Sequence, residues 1–435
     1  MKITTIIKNK LFPFFITALL IGGGGIVLFS QSKNQSLPQN LIDTQALDTE
    51  ILKQQQKIKA NPKIITPYFS LSQVYLQKIR ETADSTYYKK INDLTNTAES
   101  IEPNNGEIFA IRASTEAGRH HFKKAQDYIM QAIKLNPHKD IYYGILADTQ
   151  IELGQYSLAA TTLQTMVNMR PSFSSFSRIA YLRELYGDIP GAHEALLSAI
   201  SSGSTYKENI AWAYVELGKL ALRTNISEAE KYFNHALVIV PTYSQAMEGL
   251  GRVNFEKGDI VTSEKYFTDA FTTLPLALYA TNLADFYTYQ GNTIKAKQYL
   301  MLAQVSYDSS SSSGVNTDLE ESIFLSDHDL NLPLALAKAQ TAYKDRPNMY
   351  TADALAFAYY KNNQYDKAYE LIAKAFVPGE QDPTILFHKV LIAYKIGDTI
   401  NAKFYLKKIN THSYLSIAYA KELQEMRTML SLDKK

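Results

Sequence analysis

Residues 247–275 read Met-Glu-Gly-Leu-Gly-Arg-Val-Asn-Phe-Glu-Lys-Gly-Asp-Ile-Val-Thr-Ser-Glu-Lys-Tyr-Phe-Thr-Asp-Ala-Phe-Thr-Thr-Leu-Pro. Small and apolar residues come first, at Leu250-Gly251, followed by a turn at Gly258-Asp259. Phe267-x-x-Ala270 then leads to Pro275. Glycine past a helix end supplies a left-handed cap. Proline cannot continue a helical hydrogen-bond ladder, so it closes the second segment. The stretch reads as one helix–turn–helix unit.

The same order recurs on both sides. Pro103, Pro137 and Pro171 are spaced 34 apart, as are Pro241 and Pro275, and Pro171 lies 70 before Pro241. One series of small residues is Ala125, Ala159, Ala192, Ala229, Ser263, Ala296, Ala335, Ala368 and Ala402. A second, seven residues on, is Ala132, Met166, Ala199, Ala236, Ala270, Ala303, Ala342 and Ala375. A third stands early in each unit: Ala113, Ala147, Ala180, Gly218, Gly251, Ala284 and Ala356. Residues seven apart share a helix face, and small ones let two helix axes approach closely. Turn pairs separate the helices at Gly154-Gln155, Gly187-Asp188, Gly291-Asn292, Asn363-Gln364 and Gly397-Asp398. Self-similarity at this period marks a solenoid.

On these residues the chain resembles the tetratricopeptide-repeat superfamily over about residues 64–410. Residues 247–275 look like one nearly complete repeat. The unit carrying Tyr143, Leu146, Ala147, Gly154, Tyr156, Ala159 and Pro171 is another. The segments Tyr181–Asp188 and Gly314–Glu320 are further similar to a subset of bacterial repeat proteins with an N-terminal membrane segment. The resemblance implies an all-α, right-handed superhelical solenoid of nine or ten helix pairs. In such arrays each unit contacts its neighbours, so mutations act locally.

Departures mark the remaining organisation. Helix pairs near Thr317–Tyr343 and Thr384–Ile409 are less regular, and Lys389 is polar where an apolar residue is usual. Asp308–Val315, with five consecutive serines, reads as a flexible loop. Thr317 and Glu320 after it form a capping-box pattern, and Pro333 falls where a helix begins. A further helix is expected at Ile51–Ala60, before the first clear repeat. The expected divisions are a membrane segment at 1–30, a tether at 31–41, repeats at 42–307, the loop at 308–316, repeats at 317–413, and a capping helix with tail at 414–435.

At the N-terminus, Lys2, Lys8 and Lys10 precede an uncharged apolar run, Leu11–Phe29. As a helix it spans roughly 28 Å, close to the bilayer core. Its length favours an uncleaved signal anchor, with the lysines cytoplasmic and the repeats exported. The alternative is a cleaved signal peptide, with Ser30-Gln31-Ser32 as the small-x-small site, and a secreted product.

Composition excludes whole classes of chemistry. The 435 residues contain no cysteine, which removes thiolates, disulfides, zinc–thiolate sites and iron–sulfur clusters. Lys and Arg number 45 against 43 Asp and Glu, a balance that gives no reason to expect nucleic acid. His120-His121 reads as a solvated turn and Asp327-His328-Asp329 as a polar helix end and turn, with weak metal binding as its alternative. No metalloprotease, nucleophile-elbow, phosphate-loop or EF-hand motif occurs. No block of about 100 residues remains for a catalytic domain. We therefore expect no enzyme, catalytic residue, cofactor or metal. An enzyme reading would need carboxylates or histidines converging across the groove with perturbed pKa values.

The concave face of such a solenoid is lined by the first helix of each pair. In repeat register its exposed positions are Trp212, Lys219 and Arg223, then Arg252 and Phe255, then Thr281, Asp285 and Tyr289. Near the end come Tyr350, Phe357, Tyr360 and Lys361, then Phe387, Tyr394 and Lys395. Aromatic residues interleaved with basic ones on a rigid frame favour binding hot spots. The sequence thus reads as a non-catalytic, membrane-tethered adaptor that binds proteins or extended peptides, in envelope assembly or secretion. The alternatives are a self-assembling scaffold and an accessory subunit of an enzyme complex.

Overall fold

The computed structural model describes residues 44–374, 377, 379, 381–409 and 415–430. The apolar run at 11–29 and the tether lie outside them. Among the described residues no helix is long and apolar enough to cross a membrane.

Helix α1 (Thr44–Ala60) precedes ten helical hairpins. These are α2/α3 (Thr66–Thr82, Tyr87–Ile101), α4/α5 (Gly106–Gly118, Phe122–Leu135), α6/α7 (Asp140–Glu152, Tyr156–Met169), α8/α9 (Phe173–Leu185, Ile189–Ser202) and α10/α11 (Lys207–Leu222, Ile226–Ile239). Then come α12/α13 (Ser244–Glu256, Ile260–Thr273), α14/α15 (Ala277–Tyr289, Thr293–Ser312), α16/α17 (Asp318–Asp327, Leu332–Asp345), α18/α19 (Met349–Lys361, Tyr365–Lys374) and α20/α21 (Pro383–Lys395, Thr399–Leu406). A 3-10 turn (Ile417–Tyr419) and α22 (Ala420–Met429) finish the described chain. The described residues form an all-α solenoid of helical hairpins.

The expected punctuation recurs in the turns. Pro103, Pro137, Pro171, Pro241 and Pro275 each stand two residues past a second helix. Gly187, Gly258, Gly291 and Gly397 take positive φ between hairpin helices. The Asp or Asn after each accepts a backbone N–H of the following helix through its side chain. One dipeptide therefore ends one helix and starts the next.

The small-residue series are the helix–helix contacts. Every member of the three series except Ala375, which lies outside the described residues, is buried. Glycine is required where an aromatic ring fills the seam. Phe233 of α11 lies against Gly218 and Gly249, and a methyl group at either position would overlap the ring.

Three expectations are corrected. The serine run is not a loop, since α15 continues through Ser312. Ser312 and Ser313 turn their hydroxyls back onto the Ser309 carbonyl, at 2.8 and 3.1 Å. This local bonding lets serines continue a helix, and the break comes at Gly314, with φ +81°. The Thr317–Glu320 capping box does not form. Thr317 makes no side-chain cap bond, the Asp318 N–H donates to Asn316 Oδ1 at 3.0 Å, and Glu320 pairs with Arg346 at 3.1 Å.

The third correction concerns neighbours. The solenoid winds far enough to touch itself about 195 residues along the chain. His120 Nδ1 meets the Asn316 carbonyl at 2.9 Å across 196 residues. Asn348 Nδ2 donates to the Glu152 carbonyl at 2.9 Å, and the Met349 N–H donates to the Tyr156 hydroxyl at 2.9 Å. Arg346, 6% exposed, pairs with both Glu152 and Glu320 and lies over the Phe122 ring. Met349, Val377 and Ile385 join the hydrophobic core of α6–α10. Units far apart in sequence therefore share one core.

Candidate peptide-binding groove

Winding places the first helices inside. In the N-terminal half they enclose a cavity of about 640 Å³. Its walls come from α2, α4, α6, α8 and α10, with Tyr206 just before α10. Tyr142, Phe173, Tyr181, Tyr206 and Trp212 supply aromatic surface, and Arg80, Arg178, Glu107, Asp148 and Glu208 supply charge. Phe173 and Trp212 meet edge to face at 6.5 Å. Arg178 is fixed by a two-pronged pair with Asp148, at 2.8 and 2.7 Å, and by the Ser174 carbonyl at 2.9 Å. Arg80 bonds Gln77, which reaches Glu208 at 3.5 Å. Each cation in the cavity thus faces a carboxylate or amide oxygen.

In the C-terminal half, the chain's own end occupies the concave face. Residues 415–430 turn inward and lie along α12, α14, α16, α18 and α20. Ile417 packs with Leu283 and Phe286, and Tyr419 with Phe357 and Phe387. Met426 and Leu430 also pack on Leu406 and Ile409, so the end of α22 does cover the last pair. The expected cap is therefore only part of what this segment does. Its apolar Ile417 and Tyr419 would gain nothing from a polar outer face.

Two carboxylate–imidazole pairs stand beneath it. His328 Nε2 bonds Asp285 at 2.8 Å and its Nδ1 bonds the Phe324 carbonyl at 2.7 Å. His388 Nδ1 bonds Asp353 at 2.9 Å, and its Nε2 bonds the Tyr419 hydroxyl at 3.0 Å. That hydroxyl donates to Asp327 at 2.5 Å. Each ring nitrogen faces an oxygen that can accept, an arrangement that favours the charged form of both rings. Burial opposes the charge on each ring. The hydrogen bond and charge of Asp285 on one, and of Asp353 on the other, outweigh it and hold both above the ordinary histidine range. Burial also raises the Asp327 carboxyl. Asp327-His328 is therefore more than the polar helix end expected, since both residues are inside. The cluster meets the condition of converging, perturbed groups. Its ring nitrogens are all engaged, and two of its carboxylates accept the Ser416 and Tyr419 hydroxyls. Among the described residues no group of three or more acidic or histidine side chains is placed to hold a metal.

The aromatic and basic groove residues separate accordingly. Trp212 lines the open cavity. Lys219 pairs with Glu216 at 2.9 Å, and Arg223 pairs with Glu184. Arg252, Phe255, Tyr289, Phe357, Tyr360 and Phe387 gather around the C-terminal segment: Arg252 Nη1 donates to the Leu415 carbonyl at 3.3 Å, and Lys421 lies over Tyr289. Tyr350 packs between helices with Leu319 and Ala354. Lys361 pairs with Asp329 at 2.7 Å. Tyr394 is 39% exposed, and Lys395 sits over Tyr365. Sequence reasoning missed the cavity walls before Trp212. The signal was present, since Arg178 stands 34 residues earlier, in the same register.

No protein-family model matches the sequence, and no curated protein matches it. Among solved structures, a human IFIT1 dimer with PPP-AAAA is similar over 76% of this chain and 77% of its own, at 16% identity and TM-score 0.46. Yeast Tom70 is similar over 89% and 95%, at 14% identity and TM-score 0.37. MamA is similar over 37% and 93%, at 20% identity and TM-score 0.30.

Proposed function

We propose that this protein is a non-catalytic adaptor that holds protein partners as extended peptides against its concave face. The open cavity of about 640 Å³ in the N-terminal half carries the reading. It combines aromatic walls with fixed polar groups, the composition of a site that orients a ligand rather than transforms it. Ser174, Asn209 and the Arg178–Asp148 pair offer donors and acceptors to a peptide backbone. A polyanion would have to compete with Asp148 for Arg178, which favours peptide over nucleic acid. The apolar run at 11–29 supports a membrane-tethered, exported form working in envelope assembly or secretion.

Trp212 is the only tryptophan of the chain and lines this cavity, so its emission reports occupancy directly. Partners would be captured by crosslinking in intact membranes, and their peptides titrated against the protein. Binding should shift Trp212 emission, and Phe173→Ala with Arg178→Ala should weaken it by about tenfold or more. Captured peptides that bind without moving the emission would place the site elsewhere. Protease added to intact and then permeabilised cells tests export. Digestion of the repeats only after the outer barrier opens supports it, and protection even then rejects it.

A further inference from the structure

The segment lying in the C-terminal half of the groove behaves as a ligand does. Its contacts alternate between backbone capture, hydroxyl recognition and an apolar anchor. Arg252 takes the Leu415 carbonyl at 3.3 Å, and is itself set by Glu248 and by Asn282 at 3.1 Å. The Ser416 hydroxyl donates to Asp285 at 3.0 Å. Ile417 enters the pocket of Leu283 and Phe286. Tyr419 places its ring among Phe357, Phe387 and His388, with its hydroxyl donating to Asp327. Residue 416 has φ −56° and ψ 142°, so the chain enters the groove extended and then takes one tight turn.

The receptor side is held by contacts of its own. Asp285 is held by His328 and Asp353 by His388, while Phe357 stacks on the His388 ring at 3.8 Å. None of these contacts involves residues 415–430. They belong to α14, α16, α18 and α20, which pack through their own hairpins. Such pre-ordering lowers the cost of binding.

We propose that the C-terminal half of the groove is a second peptide site, specific for a hydroxyl–apolar–x–tyrosine segment, whose resident occupant is the chain's own Leu415–Leu430. A partner presenting the same pattern enters by displacing that occupant. The two hydroxyls match two carboxylates at the spacing of Ser416 and Tyr419, and the residue between Ile417 and Tyr419 is not used for recognition. The site is separate from the N-terminal cavity, so either can fail alone.

The test uses the full chain and a labelled peptide of residues 415–430. In one variant, Ser416→Ala, Ile417→Asp and Tyr419→Ala together unseat the resident segment. The peptide should bind this variant at least about tenfold more tightly than wild type, because the site is then vacant in nearly every molecule. Adding Asp285→Asn and Asp327→Asn should abolish that binding. A variant that retains wild-type helicity yet binds no peptide overturns the proposal and makes the segment a structural part of the last repeats. Should the variant not fold, hydrogen exchange on wild type decides. Exchange of 416–429 at a lower opening energy than α18 and α20 supports the site, and exchange only together with those helices overturns it. Transfer of the segment between two copies, seen as a concentration-dependent dimer that the triple variant loses, also supports the site.

Discussion

In the N-terminal half of the concave face, Arg178 and Asp148 hold each other beside a cavity of about 640 Å³. In the C-terminal half, Asp285 and Asp327 hold Ser416 and Tyr419, and the space is filled. The same kind of helix, the first of each pair, builds both halves. The difference lies in the side chains turned inward. Arg80, Glu107, Asp148 and Arg178 let water face the first half. Phe286, Phe357 and Phe387 are buried in the second half, where residues 415–430 pack. Repeat register therefore locates the first-helix face, but not which part of it the chain itself covers.

The comparison assumes that both halves belong to one closed turn. Arg346→Ala attacks that closure, because it strands Glu152 and Glu320 without their cation. Burial already raises the Glu152 carboxyl. The expected loss is about 3 kcal/mol, since removing one partner leaves an uncompensated charge. Urea unfolding measures it, and peptide-dependent Trp212 emission should weaken at the same time. A variant with wild-type stability would show that the two halves stand independently.

Much of this architecture was legible in the sequence. Prolines at a fixed period, three small-residue series and Gly-Asp turns are local signals, and the helix pairs follow from local physics. The seam was not legible. Nothing in the repeat pattern shows that Arg346 meets Glu152 across 194 residues, because closure depends on the summed angle between many pairs. The serine run misled for a related reason. Composition marks it as a loop, whereas exposed serines bonding their own carbonyls continue α15. Of the site, the register expected Phe357 and Phe387 to be exposed, whereas both are buried, because residues 415–430 pack on them. Residues 415–430 carry no repeat signal and read only as a cap.

Ala270→Phe sharpens the contrast between local and closed packing. Ala270 is fully buried between α12 and α13, away from the seam. Overpacking there should cost about 1–3 kcal/mol. Thermal unfolding should shift while both peptide sites keep their affinity. An unchanged melting temperature would mean that the helix face had been misassigned.

Tyr419→Phe keeps the ring and removes one hydroxyl, leaving half-buried Asp327 and buried His388 Nε2 without their shared partner. About 1–2 kcal/mol should be lost, confined to the C-terminal half. The same contacts give that half a pH dependence. His388 faces Asp353, Asp382, Asp327 through Tyr419, and Glu422. His328 faces Asp285 and Asp327. Both rings titrate above their ordinary value, so their contribution is complete below about pH 6.5 and is lost as pH rises through the raised values. Burial raises Asp327, Asp382 and Glu422, which acts in the same direction. Urea unfolding should therefore show the protein less stable at pH 8.5 than at pH 6. A flat profile would mean that the imidazoles do not support the hydroxyl contacts.

Tyr394→Ala should do least. The residue lies on the same first-helix surface as Phe387 but is 39% exposed. The shift in unfolding should stay within about 0.5 kcal/mol, and release of residues 415–430 should not change by hydrogen exchange. A larger effect would extend the covered site to the far end of α20 and make Tyr394 part of the surface that a displacing partner first touches.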